Sequence, residues 1–249
     1  MTNERLRRAM AAAHVGVEEV SQTTRVDPKT VQRWIKGRVP HARHRWAVAE
    51  LVHEDERYLW PDTEGERTPG SPTTAEVVAA YPHRADVPPE RWWTLMVDAR
   101  RQVDLLAYAM LFLPETHPRL FELLRGKAAA DCRIRIALVD PASPHLVERD
   151  AEERLDGGLV ARVRTSLHYF QEGLADCEGV ELGLFASPLY NSLFRFDDEM
   201  FVTPHLYGTI GYRAPLLHLR RLGAGGVFDT FAGHFEGLWA ITTPLKVAA

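Results

Sequence analysis

The 249-residue chain is 45% hydrophobic and 26% charged, with a formal net charge of -4. That balance excludes wholesale disorder and points to one or two globular domains. Its longest apolar run, Leu105 to Leu113, is about half of a membrane span, and two cysteines, Cys132 and Cys177, form neither a disulfide framework nor a metal quartet.

The Ala/Met stretch after Arg5, Arg7 and Arg8 is too brief for the apolar region of a signal peptide. A cytoplasmic protein without membrane, metal or cofactor is therefore expected. Charge is distributed unevenly along the chain. Residues 1–45 hold ten Lys and Arg against four acidic residues, a balance of +6, which leaves -10 on residues 46–249. This asymmetry predicts a basic module for a polyanion attached to an acidic body with another task.

Residues 4–13 (ERLRRAMAAA) are strong helix formers, with Leu6, Met10 and Ala13 on one face. Gly16 breaks the pattern, and VEEVSQTT predicts a short second helix with Val17 and Val20 inward. In RVDPKTVQRWIKGRVP, Asp27 is placed to cap a third helix. Pro28 suits its first position, where the missing N–H would be unpaired anyway. Val31, Trp34 and Ile35 form the inward stripe and Gly37 ends the helix. A further helix is expected from about Ala42 to Val52. Two short helices joined by a tight turn, within a bundle of five, describe a helix-turn-helix.

The run GVEEVSQTTRVDPKTVQRWIKGRVP resembles the Cro/C1-type (XRE) helix-turn-helix of bacterial and phage repressors. In that family the recognition helix ends in an aromatic or aliphatic anchor, then glycine, then proline. The resemblance covers about residues 3–60 and departs from the family at Gly16-Val17, where a polar phosphate-contacting residue is common. It implies that Lys29, Thr30, Gln32 and Arg33, on the outward face of the recognition helix, lie in the major groove of double-stranded DNA. Arg and Lys donate to guanine O6 and N7, and Gln pairs with adenine, so these side chains suit base edges. Lys36, Arg38, Arg43 and Arg45 flank the helix and suit phosphates, which position without specifying. The DNA-binding domain is expected over 1–60.

From Pro61 to Thr74 the chain reads PDTEGERTPGSPTT, with three Pro, two Gly and no aliphatic or aromatic residue. This composition predicts a linker, followed by a second domain over 75–249. There Trp92-Trp93 marks the first helix, as a core and surface pair. QVDLLAYAMLFLPE is a buried apolar run, HPRLFELLRGKAAA is helical, and RIRIALVDP reads as a buried strand. A long amphipathic helix is expected from Glu152 to Asp176, with DAEER at 150–154 as its start. GVELGLF reads as a strand, and NSLFRFDDEMFV as a hairpin turning at Asp197-Asp198. GTIGYRA is a further expected strand. Gly223, Gly225 and Gly226 read as a turn before a closing helix over Val227–Trp239. Strands alternating with helices imply an α/β layered domain, so the fold class is an α helix-turn-helix bundle plus an α/β domain with a mixed sheet.

The order β-α-β-α-β-hairpin, with YNSLFRFDDE where a motif strand falls, resembles one half of the phospholipase D-like fold. That superfamily carries His-x-Lys-x4-Asp on the motif strand. Here Tyr190 stands at the His position, Ser192 at the Lys and Asp197 at the Asp, and no histidine anywhere is followed two residues later by lysine. A tyrosine, with a pKa of about 10, is a poor nucleophile in place of imidazole. The resemblance therefore implies a catalytically inactive domain. Together, the head, the Pro-rich linker and this body resemble a group of actinobacterial transcriptional regulators with a phospholipase D-like C-terminal domain.

Polar and aromatic groups cluster between Tyr190 and Arg220, where a pocket at strand ends is expected to bind a ligand. The candidates are Tyr190, Asn191, Ser192, Arg195, His205, Tyr207, Tyr212, Arg213 and His218, with Asp140 at the same mouth. Arg195 and Arg213 suit an anion. His234 and Glu236 lack partners at metal-ligand spacing. The expected function is a dimeric transcriptional regulator, not an enzyme, whose body senses a small-molecule effector. The competing reading is a DNA-targeted phosphodiesterase or nuclease.

Overall fold

A computed structural model describes residues 2–61 and 76–245. Apart from Pro61, the stretch read as a linker over 61–74 lies outside the described residues. The chain divides into two compact units: Met1–Glu76 with Arg221–Gly226, and Val77–Arg220 with Val227–Ala249.

The first unit is helical: α1 (Glu4–Ala12), α2 (Val17–Thr24), α3 (Pro28–Ile35), α4 (Ala42–Leu51) and α5 (Glu56–Leu59). Its helix ends follow from side-chain chemistry. The Asn3 carboxamide accepts from Leu6 N at 2.9 Å, the Glu19 carboxylate from Gly16 N at 2.8 Å, and the Asp27 carboxylate from Lys29 N at 2.8 Å, each satisfying an N–H that a helix start leaves unpaired. α2 stops at Arg25, whose φ of 54° is left-handed, and three residues later α3 begins. Leu6, Val20, Val31, Trp34, Val48 and Leu59 form the core. Leu222 is buried in the same cluster, so the segment Arg221–Gly226 departs from the two contiguous domains expected. Leu222 is the one large apolar side chain in that Gly-rich run, too little to be seen in the sequence.

The second unit is one eight-stranded mixed sheet with helices on it. Its elements are β1 (Val77–Tyr81), α6 (Pro89–Asp98), β2 (Gln102–Ala107), α7 (Phe112–Thr116), α8 (Leu120–Ala128), β3 (Arg133–Val139), α9 (Pro144–Glu152), α10 (Gly158–Gly173), β4 (Val180–Phe185), β5 (Asn191–Phe196), β6 (Glu199–Pro204), β7 (Leu216–Arg220), α11 (Val227–Trp239) and β8 (Thr243–Pro244). The strand order is β1-β7-β6-β5-β2-β3-β4-β8. β2, β3 and β4 run parallel and all other pairs are antiparallel. Of these, β2 and β3 are nearly continuous runs of buried residues, as strands covered on both faces are.

Alternation along β5 separates the two faces. On one, Trp92 of α6 packs edge-on against Phe194 and Phe201 at 5.0 and 4.6 Å. On the other, Arg195 lies beside Asp104, its register partner on β2, on the side where Arg135 of β3 meets Glu236 of α11. Trp92 is buried and Trp93 half-buried, as the pair reads in the sequence.

Three expectations are corrected. The helix expected over 152–176 is shortened to α10: α9 ends at Glu152, and the left-handed residues Arg154, Asp156 and Gly157 delay the start of α10 to Gly158. Asp150 accounts for the delay: its carboxylate accepts from Gly157 N and Leu159 N, both at 2.6 Å, and so anchors the start of α10. DAEER therefore closes a helix and does not open one. GTIGYRA is not a strand. Gly208 is left-handed, and the carbonyls of Tyr212 and Ala214 accept from Ala85 N and Arg84 N of a 3-10 turn (Arg84–Asp86); the strand begins two residues later, at Leu216. The edge strands β1 and β8 have no counterpart in the sequence reading. Among the described residues no helix is long and apolar enough to cross a membrane.

Candidate functional site

In the helical unit, Trp34 and Val31 turn inward, which leaves the opposite side of α3 to solvent. Lys29, Gln32, Arg33, Lys36 and Arg38 are exposed, as is Arg43 on α4, while Thr30 is half-buried. Lys29, Arg33 and Lys36 are spaced by four and three residues and share one face. Among the described residues no carboxylate lies within ion-pair distance of Lys29, Arg33, Lys36, Arg38 or Arg43. The positive field reaches His44, whose pKa is lowered by partial burial and then by the charges of Arg43 and His41. Arg45 departs from the expected phosphate contact. Its Nε donates to Glu56 at 2.6 Å and its Nη1 to Pro40 O at 3.2 Å, so it is occupied in tying α4 to the turn before it and to α5.

In the sheet unit, the β5–β6 hairpin pairs Ser192 with Thr203 and continues to His205, whose N–H donates to Tyr190 O at 2.8 Å. Asp197, the aspartate of the degenerate motif, is buried in the turn and left-handed, with φ of 54°. Its carboxylate accepts from three successive backbone N–H groups, of Arg100, Arg101 and Gln102, at 2.8–2.9 Å. It pins the entry of β2 to the hairpin.

A pocket of about 350 Å3 opens where β2 ends and β5 begins, lined by Arg84, Tyr108, Phe112, Arg162, Ser192, Thr203, His205 and Tyr212 among others. Ser192 Oγ and His205 Nε2 are joined by a 3.0 Å hydrogen bond. The Tyr108 ring meets the imidazole edge-on at 5.1 Å, and the Tyr108 hydroxyl accepts from Leu189 N at 3.3 Å. Thr203 Oγ1 and His205 Nδ1 are buried without a hydrogen-bond partner among the described residues.

Burial first, then the charges of Arg149 and Arg84, pushes the His205 pKa down to about 3, so the ring is neutral at physiological pH. In the unfolded chain it titrates near 6.5. The stability this neutral burial contributes is therefore complete above pH 6.5 and is lost as pH falls toward 3. The urea midpoint should decline between pH 7 and pH 4, and His205→Gln should flatten that decline. An unchanged pH profile in the variant would remove His205 from this role.

Of the ten predicted ligand residues, the pocket brings together Ser192, His205 and Tyr212. Asp140 instead turns its own loop, accepting from Ala142 N at 2.8 Å. Arg195 is engaged with Asp197 O at 2.9 Å and with Asp104. His218 is buried against Glu199, which also holds Arg220 at 2.7 Å. Tyr190 and Tyr207 are 68% and 86% exposed, Arg213 lies over the Tyr212 ring at 5.5 Å, and none of these, nor Asn191, lines the pocket. Arg84, Arg162, Tyr108 and Thr203 were not legible as pocket residues, although a two-residue hairpin turn at Asp197-Asp198 dictates that Thr203 faces Ser192. A larger groove of about 660 Å3 along β4, lined in part by Asp176, Glu178 and Trp239, contains none of the candidates.

No protein-family model matches the chain, and no curated protein matches it. Among solved structures it is similar to TrmBL2, an archaeal chromatin protein whose structure shows a novel mode of DNA binding. The identity is 13%, the similarity covers 67% of this chain, and the TM-score is 0.41. The match spans 54% of that protein's length.

Proposed function

We propose that the chain is a DNA-binding transcriptional regulator of XRE type whose sheet unit is a non-catalytic, phospholipase D-like sensor and dimerisation domain. The observation that carries the DNA reading is the set of five exposed cations on and beside α3 with no carboxylate at ion-pair distance among the described residues. A helical face left in that state attracts phosphates, while Gln32 and Arg33 supply the donors that read base edges. One helix-turn-helix buries too little DNA surface for tight specific binding, so a homodimer on a pseudo-palindromic operator follows. Effector binding then biases the equilibrium between dimer states of different operator affinity, to the extent that it binds one state better.

Arg33→Ala should relax base specificity at one operator position, at a cost of about 1–3 kcal/mol for the preferred base. Arg43→Ala should weaken binding to all duplexes alike and flatten the salt dependence. Fluorescence anisotropy on operator and scrambled duplexes separates the two. If neither substitution changes binding, α3 is not the recognition helix.

The non-catalytic reading rests on the chemistry of the motif strand. Tyr190 and Ser192 replace the nucleophile and the phosphate-holding lysine, and Asp197 has its carboxylate committed to backbone N–H groups. Ser192 and His205 are a hydrogen-bonded pair, but a general base works best with a pKa near the operating pH and a third group to orient it. His205 titrates near pH 3 and its Nδ1 has no partner among the described residues. Metal-free hydrolysis of bis-p-nitrophenyl phosphate, abolished by Tyr190→Phe or His205→Gln, would establish the phosphodiesterase reading instead.

A further inference from the structure

The pocket holds two guanidinium groups with no carboxylate at ion-pair distance among the described residues. Arg84 belongs to the 3-10 turn before α6, and Arg162 to the second turn of α10. Among the described residues neither side chain makes a hydrogen bond or an ion pair; Arg84 lies over the Phe112 ring at 4.0 Å. The Arg84 pKa is pushed down to about 10, by burial and then by the charge of Arg162, against a smaller opposing effect of Glu153. The two carboxylates on the lining do not cancel this. Glu153 feels the charge of Arg162 as well, but its carboxylate is hydrogen-bonded to Arg149 at 2.8 Å, and Glu115 is exposed to solvent on α7.

Two like charges sharing a partly buried cavity destabilise each other until an anion lies between them. Guanidinium is also the group whose planar fork matches phosphate and carboxylate oxygens. Beside the arginines, Thr203 Oγ1 and His205 Nδ1 are buried polar atoms with no hydrogen-bond partner among the described residues. A buried group in that state is stabilised by a hydrogen bond from a ligand hydroxyl. The volume of about 350 Å3 lies at the small end of ligand pockets.

Building on the reading of this unit as a sensor, we propose that its effector is a small hydroxylated metabolite bearing a phosphate or carboxylate. The anionic group is clasped by Arg84 and Arg162, and the hydroxyls meet Thr203 and the Ser192–His205 pair. Because the two arginines repel each other in the ligand-free protein, the site trades stability for binding.

The test is thermal unfolding of the full chain without DNA, at matched ionic strength, with glucose 6-phosphate, gluconate, inorganic phosphate or glucose at millimolar concentration. Glucose 6-phosphate or gluconate should raise Tm, and which of the two does so distinguishes phosphate from carboxylate. Inorganic phosphate should act more weakly and glucose not at all. Arg162→Ala, at an exposed position that leaves the core intact, should weaken the effective anion at least tenfold. Arg84→Met should abolish the response while raising the ligand-free Tm, a sign opposite to that of a merely structural arginine.

The proposal is overturned if glucose matches its phosphate, if neither anion raises Tm, or if the response survives both substitutions. A ligand-free Tm lowered by Arg84→Met overturns the repulsion on which it rests. Duplex binding measured on the same preparation keeps the two ideas apart, since a missing anion response with DNA affinity intact removes this inference and leaves the regulator standing.

Discussion

Arg135→Met should destabilise the sheet unit by about 3–5 kcal/mol, the range for removing one partner of a buried ion pair. Arg135 and Asp104 have side chains 4% and 1% exposed and meet at 2.8 Å on adjacent parallel strands. The same guanidinium donates twice to Glu236, at 2.7 and 2.8 Å, and lies over the rings of Phe235 and Trp239 at 4.6 and 5.4 Å. One side chain thus joins β2, β3 and α11. Asp104 is further held by Gln102 and by Arg195, but neither replaces a charge at contact distance. The double variant Arg135→Met with Asp104→Leu should lose less than the single one, because it leaves no uncompensated buried carboxylate on β2. Urea unfolding measures both. A single-variant loss below about 1 kcal/mol would mean that water or Arg195 satisfies Asp104, and that the network is not the fastener described.

Trp34→Ala should cost the helical unit about 3–5 kcal/mol, as large-to-small changes in cores do. Trp34 is 3% exposed, packs among the buried residues of α1–α5 and meets the His44 ring at 5.6 Å. A unit of this size has little stability in reserve, so the variant should lose operator binding through unfolding and not through a lost contact. Trp34→Phe should restore most of it. Near-ultraviolet circular dichroism beside anisotropy makes the check. Retained helicity with lost binding would place Trp34 at the DNA surface instead.

The helical unit was legible almost residue by residue because its signals are local. Asp27-Pro28, Gly37 and the Val31–Trp34 stripe act within one turn of where they stand, and the structure places each as the sequence implies. The hairpin was legible for the same reason, its turn at Asp197-Asp198 setting the register of both strands. What failed depended on partners far along the chain. The amphipathic pattern continues through Asp150–Leu159, but Asp150 captures two backbone N–H groups beyond the end of α9 and fixes the start of α10 at Gly158. In GTIGYRA, a 3-10 turn some 130 residues earlier takes the carbonyls that a strand would need.

The pocket divides along the same line. Ser192 and His205 were legible from the hairpin, whereas Thr203 emerges only once Ser192 is paired across its turn. Arg84 and Arg162 come from a turn and a helix that nothing local marks, and each reads in the sequence as an ordinary surface cation. Arg195, by contrast, looked free in the sequence and is committed to β2, because strand alternation turns it toward Asp104. Arg45 shows the same effect in the helical unit, where Glu56, eleven residues on, claims it.

The central claim is that the exposed cations around α3 bind duplex DNA. It is tested most directly by the salt dependence of operator affinity for the wild type, Arg33→Ala and Arg43→Ala, measured by anisotropy on duplexes selected from a random pool. Log K should fall linearly with log salt, with the slope reduced by about one in Arg43→Ala and specificity lost in Arg33→Ala. A protein that selects no duplex, or one whose slope and specificity are the same in all three forms, would contradict it.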